Sequence, residues 1–115
     1  MIKLVILIEP PDDMEQLMAT WPQFLHLVEE MPGLQAEATS PVDHTLYGNP
    51  YVLMHELFFN TMPDATLAMS SPTGRAAGEL LQKISQGKLA LFFADHKEDS
   101  IENIQKHRDQ SLQAD

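Results

Sequence analysis

Two segments of the chain are apolar on both alternating faces, and this feature limits the folds open to it most strongly. They are IKLVILI, at residues 2–8, and YVLMHELFF, at residues 51–59. Successive side chains of a strand point to opposite faces of its sheet, so a strand that is apolar on both faces needs cover on both sides. The sequence therefore predicts two β-strands inside a sheet whose two faces are both buried.

Helical patterns alternate with the strands. PPDD ends the first strand, and Asp12 or Asp13 can cap a helix that runs to about Glu30 and stops at MPGL. The remaining segments are a strand at LQAEATSPVD, helices at NTMPDATLAMSS and TGRAAGELLQKISQG, and a strand at LALFFAD. The order βαββαβ predicts an α+β, ferredoxin-like fold, with a four-stranded antiparallel sheet and its helices on one face.

This arrangement has a consequence for assembly. The helices can cover only one face of the sheet, whereas the strands are apolar on both. The sheet of a second copy is the simplest cover for the other face. The sequence thus predicts a face-to-face homodimer.

Composition excludes several classes of function. The formal net charge is -10, from 17 acidic and 7 basic residues, and the basic residues are scattered. Nucleic acids and anionic membranes are bound through clustered basic residues, so neither is an expected partner. The chain has no cysteine, and its histidines lack the spacing of metal ligands, so we expect no metal and no cofactor. The apolar run in MIKLVILIEPP is too short for a signal peptide, which favours a cytoplasmic protein.

The end of the chain differs from the rest. Residues 97–115 are polar, with Ile101, Ile104 and Leu112 as their large apolar side chains. A segment of this composition is loosely helical or disordered. We therefore expect one domain over residues 1–96, followed by a tail.

Several of these segments together resemble the EthD family, within the superfamily of dimeric α+β barrels. They are the opening MIKLVILIEPP, the aromatic helix ending in MPGL, and ELFFNTMPDATLAMSSPTGR with its Ser-Pro-x-Gly start of a helix. The resemblance covers residues 1–96 and implies a ferredoxin-like protomer whose sheet pairs with a second copy to close a barrel. The family is associated with the degradation of ethyl tert-butyl ether. Its relatives on the same barrel are cofactor-free oxygenases, polyketide cyclases and lactone isomerases, which act on small, mostly apolar molecules.

The first helix lacks the histidine that is common in this family. The matching position falls on Leu25 or Phe24, and the histidine nearby is His26. At about 100° per residue, the apolar side chains of the helix lie along one line and His26 lies about 180° from Leu17. We therefore expect His26 to face solvent.

The strand YVLMHELFF supplies the candidate catalytic residues, Glu56 and His55. Alternation places His55 on one face with Tyr51 and Glu56 on the other with Met54. Burial raises the pKa of a carboxyl group and lowers that of an imidazole, which suits acid–base work. The structural alternatives are a Glu56 carboxylate satisfied by Lys3, a tyrosine hydroxyl or a dimer contact, and a His55 that belongs to the core or to an interface.

Two hypotheses of function follow. In the first, a homodimer binds a small hydrophobic catabolite in a cleft between the first helix and the sheet, and Glu56 or His55 supports cofactor-independent isomerase, cyclase or oxygenase chemistry. The expected ligand-binding residues are Trp21, Phe24, Met54, Phe58 and Tyr51, with Leu53 and Phe59 as alternatives to Met54 and Phe58. A loop with His44 and Tyr47 can close over a pocket. In the second hypothesis, a dimeric binding or assembly module has lost the helix histidine and its chemistry.

Overall fold

A computed structural model describes residues 1–106. Its elements are β1 (Ile2–Ile8), α1 (Met14–Glu29), β2 (Leu34–Pro41), β3 (Leu53–Phe59), α2 (Met62–Ser70), α3 (Pro72–Ser85) and β4 (Leu89–Asp95). The predicted βαββαβ order and α+β class are confirmed, with the second helical region divided into α2 and α3. None of the helices in this part of the chain is both long and apolar enough to cross a bilayer.

The four strands form one antiparallel sheet in the order β2-β3-β1-β4. The two strands that are apolar on both faces, β1 and β3, therefore lie at the centre, as their composition predicts. Strand β3 begins at Leu53, so Tyr51 and Val52 precede it rather than belonging to it. In the register of the sheet, Ile6 of β1 lies between His55 and Leu91.

The hydrophobic core lies between the helices and one face of the sheet, which we call the helix-covered face. Asp13 caps the start of helix α1, and its carboxylate accepts a hydrogen bond from the Gln16 amide. Its buried residues are Leu17, Trp21, Phe24 and Val28. Pro22 lies within α1 without ending it. His26 is 76% exposed and lies 3.8 Å from Glu30, so the prediction that it faces solvent is confirmed.

The opposite side of the sheet, which we call the open face, has no helix from α1 to α3 against it. By strand alternation and register it carries Lys3, Val5 and Leu7 from β1, Met54, Glu56 and Phe58 from β3, and Ala90, Phe92 and Ala94 from β4. These side chains are mostly apolar, and Phe92 is 46% exposed. The open face is thus an apolar surface that a single chain leaves accessible.

Beyond β4, residues 101–106 are helical. The Ser100 hydroxyl accepts a hydrogen bond from the Asn103 amide at the start of this turn. Ile101 and Ile104 are 74% and 45% exposed. The remainder of the predicted tail, residues 107–115, lies outside the described residues, and the division at residue 96 stays a prediction.

Helices α2 and α3 meet at a corner that depends on one serine and one glycine. Ser71 ends α2 and caps α3: its hydroxyl donates to the Ala68 carbonyl at 2.6 Å and accepts from the Gly74 amide at 3.0 Å. Gly74 lies directly over the end of α2, where an added Cβ would stand 2.0 Å from the Ala68 carbonyl oxygen. The Ser-Pro-x-Gly sequence therefore has a packing reason, since a side chain at Gly74 would force the helices apart.

We expect Gly74→Ala to lower the free energy of unfolding by about 1–3 kcal/mol or more, because the added methyl group meets backbone atoms that cannot move away locally. Gly78→Ala, in the same helix, is the matched control because a Cβ there meets nothing within 4 Å. It should stabilise the protein by up to about 1 kcal/mol through helix propensity. Urea unfolding of both variants measures the difference, and equal effects would contradict the close approach.

Candidate functional site

The two candidate catalytic residues lie on opposite faces of β3. Glu56 belongs to the open face, and His55 belongs to the helix-covered face. A small molecule bound on one face of the sheet therefore contacts one of them and not the other. The candidate site divides into two separate environments.

Glu56 forms an ion pair in the middle of the open face. Lys3 Nζ donates to Glu56 Oε2 at 2.6 Å, and the two side chains are 21% and 12% exposed. The alternative that Lys3 satisfies this carboxylate is thus the arrangement observed. The Glu56 carboxylate is therefore engaged by Lys3 within the face.

His55 is fully buried between α1 and the sheet. The Trp21 ring meets it edge-on at 5.3 Å between ring centroids, and the Phe24 ring lies at 6.2 Å. His55 Nδ1 is 2.8 Å from the Thr39 hydroxyl on β2. Burial lowers the pKa of His55 to about 4, although the negative charge of Glu56 opposes this change. At neutral pH the imidazole is therefore uncharged.

A second carboxyl group, Glu37, faces the other nitrogen of His55. Glu37 Oε2 lies 3.4 Å from His55 Nε2, and within residues 1–106 neither atom has a hydrogen-bond partner. Burial raises the pKa of Glu37, and the nearby charge of Glu29 raises it further. Sequence reasoning missed Glu37 and Thr39. The available signal was their spacing, because residues 37 and 39 of a strand share one face.

The residues predicted for a cleft between α1 and the sheet lie on both faces of the sheet. Trp21 and Phe24 line the helix-covered face, whereas Met54 and Phe58 lie on the open face. The helix-side cavity that Phe24 lines measures about 30 Å³, which is room for a water molecule or two and far below the size of ligand sites. Met54 and Phe58 therefore do not share a face with Trp21 and Phe24, whereas the alternatives Leu53 and Phe59 do.

A larger depression lies at the end of the open face. Its volume is about 530 Å³, and its lining includes Leu7, Met54 and Tyr51 together with His44 and Tyr47 from the loop before β3. Tyr51 was predicted to share a face with His55. It lies in this depression instead, because the chain turns ahead of the strand, where the Tyr51 amide donates to the Asn49 carbonyl. Leu46 and Tyr47 at the loop tip are 91% and 99% exposed.

Several solved structures resemble this fold over most of the chain. An ethyl tert-butyl ether degradation (EthD) family protein from Bacillus halodurans has a TM-score of 0.77 and 23% identity, with 84% of this chain and 99% of that protein covered. The chain shares the fold of an EthD family protein. A dimeric ferredoxin-like protein of unknown function from Jannaschia has a TM-score of 0.66 and 18% identity, over 83% of this chain and 98% of that one. A cofactor-independent oxygenase from Streptomyces nogalater has a TM-score of 0.62 and 10% identity, over 87% of this chain and 96% of that one.

The EthD-like resemblance seen in the sequence is thus borne out in the fold. No family model matches the chain, and no curated protein matches it. At these identities the likeness concerns architecture and leaves the chemistry to be argued from the residues. In residues 1–106 no three histidine, aspartate or glutamate side chains come together as a metal site. The expectation that no metal or cofactor is needed stays a prediction.

The uncharged state of His55 gives a pH dependence of stability. Its pKa is about 4 in the folded chain against an ordinary 6.5, so between these values the unfolded chain binds a proton that the folded chain does not. Above pH 6.5 the protonation of His55 does not affect the free energy of unfolding. As the pH falls from 6.5 towards 4, protonation of the unfolded chain lowers that free energy. We expect a loss of about 3 kcal/mol from this cause.

Urea unfolding from about pH 7 to about pH 4 measures this effect. His55→Gln should not show this loss, because it has no imidazole to protonate. The difference in free energy of unfolding between the original chain and this variant should therefore shrink as the pH falls. Glu37 acts in the opposite direction, because its raised pKa lets the folded chain hold a proton at higher pH. The control His26→Gln, at a 76% exposed site, should follow the original curve. Parallel curves for His55→Gln and the original chain would contradict a neutral, buried His55.

Proposed function

We propose that the chain forms a homodimer through its open face and binds a small hydrophobic compound in the depression at the end of that face. The observation that carries this proposal is an apolar sheet face, with Phe92 still 46% exposed, that runs into a depression of about 530 Å³. An apolar surface of this kind is typical of an interaction site. The proposal includes a cytoplasmic location for this protein.

Several features support pairing of two copies. The Lys3–Glu56 ion pair neutralises both charges within the open face, so a partner sheet can cover them as a pair rather than burying an isolated charge. The structurally similar protein from Jannaschia is described as dimeric. Two open faces stacked together would bury the apolar side chains of β1, β3 and β4 in the manner of sheets packed face to face.

The depression supports a ligand that is largely apolar but carries a polar group. Leu7 and Met54 line it with apolar surface, while the Tyr51 hydroxyl and the His44 ring offer hydrogen bonds. Its volume lies within the usual range of small-molecule sites. A second copy on the open face would deepen the depression and exclude water from it.

Two candidates remain for what happens to the bound compound. Cofactor-independent isomerase, cyclase or oxygenase chemistry would use Glu56 or His55, and an oxygenase that needs no cofactor shares this fold. A non-catalytic binding or assembly module is favoured by a different observation: Glu56 is held by Lys3 and His55 is enclosed by Trp21 and Phe24. Turnover that is lost in Glu56→Gln or His55→Ala while affinity is kept would identify the enzyme.

We expect light scattering at micromolar concentration to give twice the 12.9 kDa mass of one chain. Phe92→Glu should raise the dissociation constant at least about 30-fold, because it places an unpaired charge in the proposed interface. Leu67→Glu is the control, since Leu67 is 63% exposed on α2, away from the open face. A monomer of the original chain, or equal effects of the two variants, would overturn pairing through this face.

Methionine methyl groups report where a ligand binds. We expect small apolar alcohols and ketones to shift the NMR signal of the Met54 methyl group in the depression and to leave that of Met18, which is 61% exposed on α1, unchanged. Tyr51→Ala should weaken binding by about tenfold, as expected for loss of an aromatic contact. Shifts confined to Met31, which lines the small helix-side cavity, would place binding there and contradict the proposal.

A further inference from the structure

On the helix-covered side, Thr39, His55 and Glu37 stand in a line that the proposed function does not use. The Thr39 hydroxyl oxygen is 2.8 Å from His55 Nδ1, and Glu37 Oε2 is 3.4 Å from His55 Nε2. Thr39 and Glu37 come from edge strand β2, and Thr39 is the register partner of His55 on β3. A hydroxyl, an imidazole and a carboxyl group therefore follow one another across the two strands.

An ionised Glu37 favours one placement of the protons on His55. A neutral imidazole carries one N–H, and an ionised Glu37 can only accept a hydrogen bond. The N–H therefore belongs on Nε2, facing Glu37, and the lone pair belongs on Nδ1, where it accepts the proton of the Thr39 hydroxyl. The other tautomer would set the lone pair of Nε2 against the carboxylate at 3.4 Å. The first arrangement thus turns the N–H, rather than a lone pair, towards the Glu37 carboxylate.

Of these three residues, Thr39 is the one that solvent reaches most easily. Its side chain is exposed on the edge strand, whereas the His55 ring is fully buried under Trp21 and Phe24. With its proton directed at Nδ1, the Thr39 oxygen presents its lone pairs away from the imidazole. A hydroxyl, a base and an orienting carboxylate in this order are the parts of an activated nucleophile.

We propose that Thr39 is a nucleophile for acyl transfer, with His55 as its general base and Glu37 as the residue that positions His55. The Thr39 oxygen forms a bond to the acyl carbon of an ester, and its proton passes to His55 Nδ1. The bond from that carbon to the leaving oxygen then breaks, and the leaving oxygen takes up the proton. Water then attacks the acyl carbon of the threonine ester and gives a proton to His55 Nδ1. The bond from that carbon to the Thr39 oxygen breaks, the Thr39 oxygen takes up the proton, and the acid is released.

The chemistry of the base restricts the class of substrate. Burial lowers the pKa of His55 to about 4, so the imidazole is a weak base at neutral pH. A weak base suits acyl donors with good leaving groups, of which aryl esters are the simplest. The site lies on the face of the sheet opposite to the ligand depression, so its failure and the failure of the proposed function can be told apart.

The test treats the full chain with p-nitrophenyl acetate and locates the acetyl group by peptide mass spectrometry. We expect Thr39 to be acetylated about 100-fold faster than other exposed hydroxyl groups, at the low end of general-base effects. Thr39→Val should abolish the label, Thr39→Ser should keep it, and Glu37→Gln should slow it about tenfold or more. Ser40→Ala is the matched control, because residue 40 is adjacent on β2 but points to the opposite face. It should leave the acetylation of Thr39 unchanged.

A second measurement separates a chemical role from a structural one. The ¹⁵N NMR signals of His55 should show the proton on Nε2 at neutral pH, and Glu37→Gln should alter that pattern while the chain stays folded. A proton on Nδ1, acetylation of Thr39 no faster than of Ser40, or unchanged labelling in Glu37→Gln would each overturn the proposal. Binding of apolar compounds next to Met54 should be the same in Thr39→Val as in the original chain.

Discussion

The rest of the structure depends on the burial of two central strands that are apolar on both sides. Helices α1, α2 and α3 cover one side of β1 and β3, and their side chains form the core. The other side of the same strands cannot be made polar without changing residues at every second position. The chain therefore folds around one face and carries a second, largely apolar face that α1, α2 and α3 do not cover.

The alternation of side chains also separates the chemistry of β3 into two parts. His55 and Glu56 are neighbours in the sequence, but one enters a core of aromatic rings and the other meets a lysine on a partly exposed sheet. Burial outweighs the nearby carboxyl groups and keeps His55 neutral, whereas Glu56 is paired with Lys3. Adjacent titratable residues on a strand thus acquire opposite electrostatic roles without any special arrangement of the backbone.

Periodicity predicted the features that depend on short stretches of chain. The strands, the helices, the apolar line of α1 and the outward direction of His26 all follow from residues within a few turns or one strand. Contacts across the sheet were harder, because the partner of a residue depends on the pairing of distant segments. A register shift between Leu34 and Ala36 decides which residues of β2 meet His55, and no local pattern shows it. The residues first expected in the cleft came from both faces of β3, and only the alternatives Leu53 and Phe59 share the face of Trp21.

The shared cap at Ser71 leaves the chain no spare residue between α2 and α3. One residue ends the first helix and starts the second, and Gly74 lies directly against the preceding turn. Insertions or deletions at this corner would separate the two caps and rotate α3 away from the sheet. The segment between β2 and β3 is under no such constraint, because its tip at Leu46 and Tyr47 is almost fully exposed. Proteins that share this architecture should therefore vary in length between β2 and β3 and keep a fixed spacing between α2 and α3.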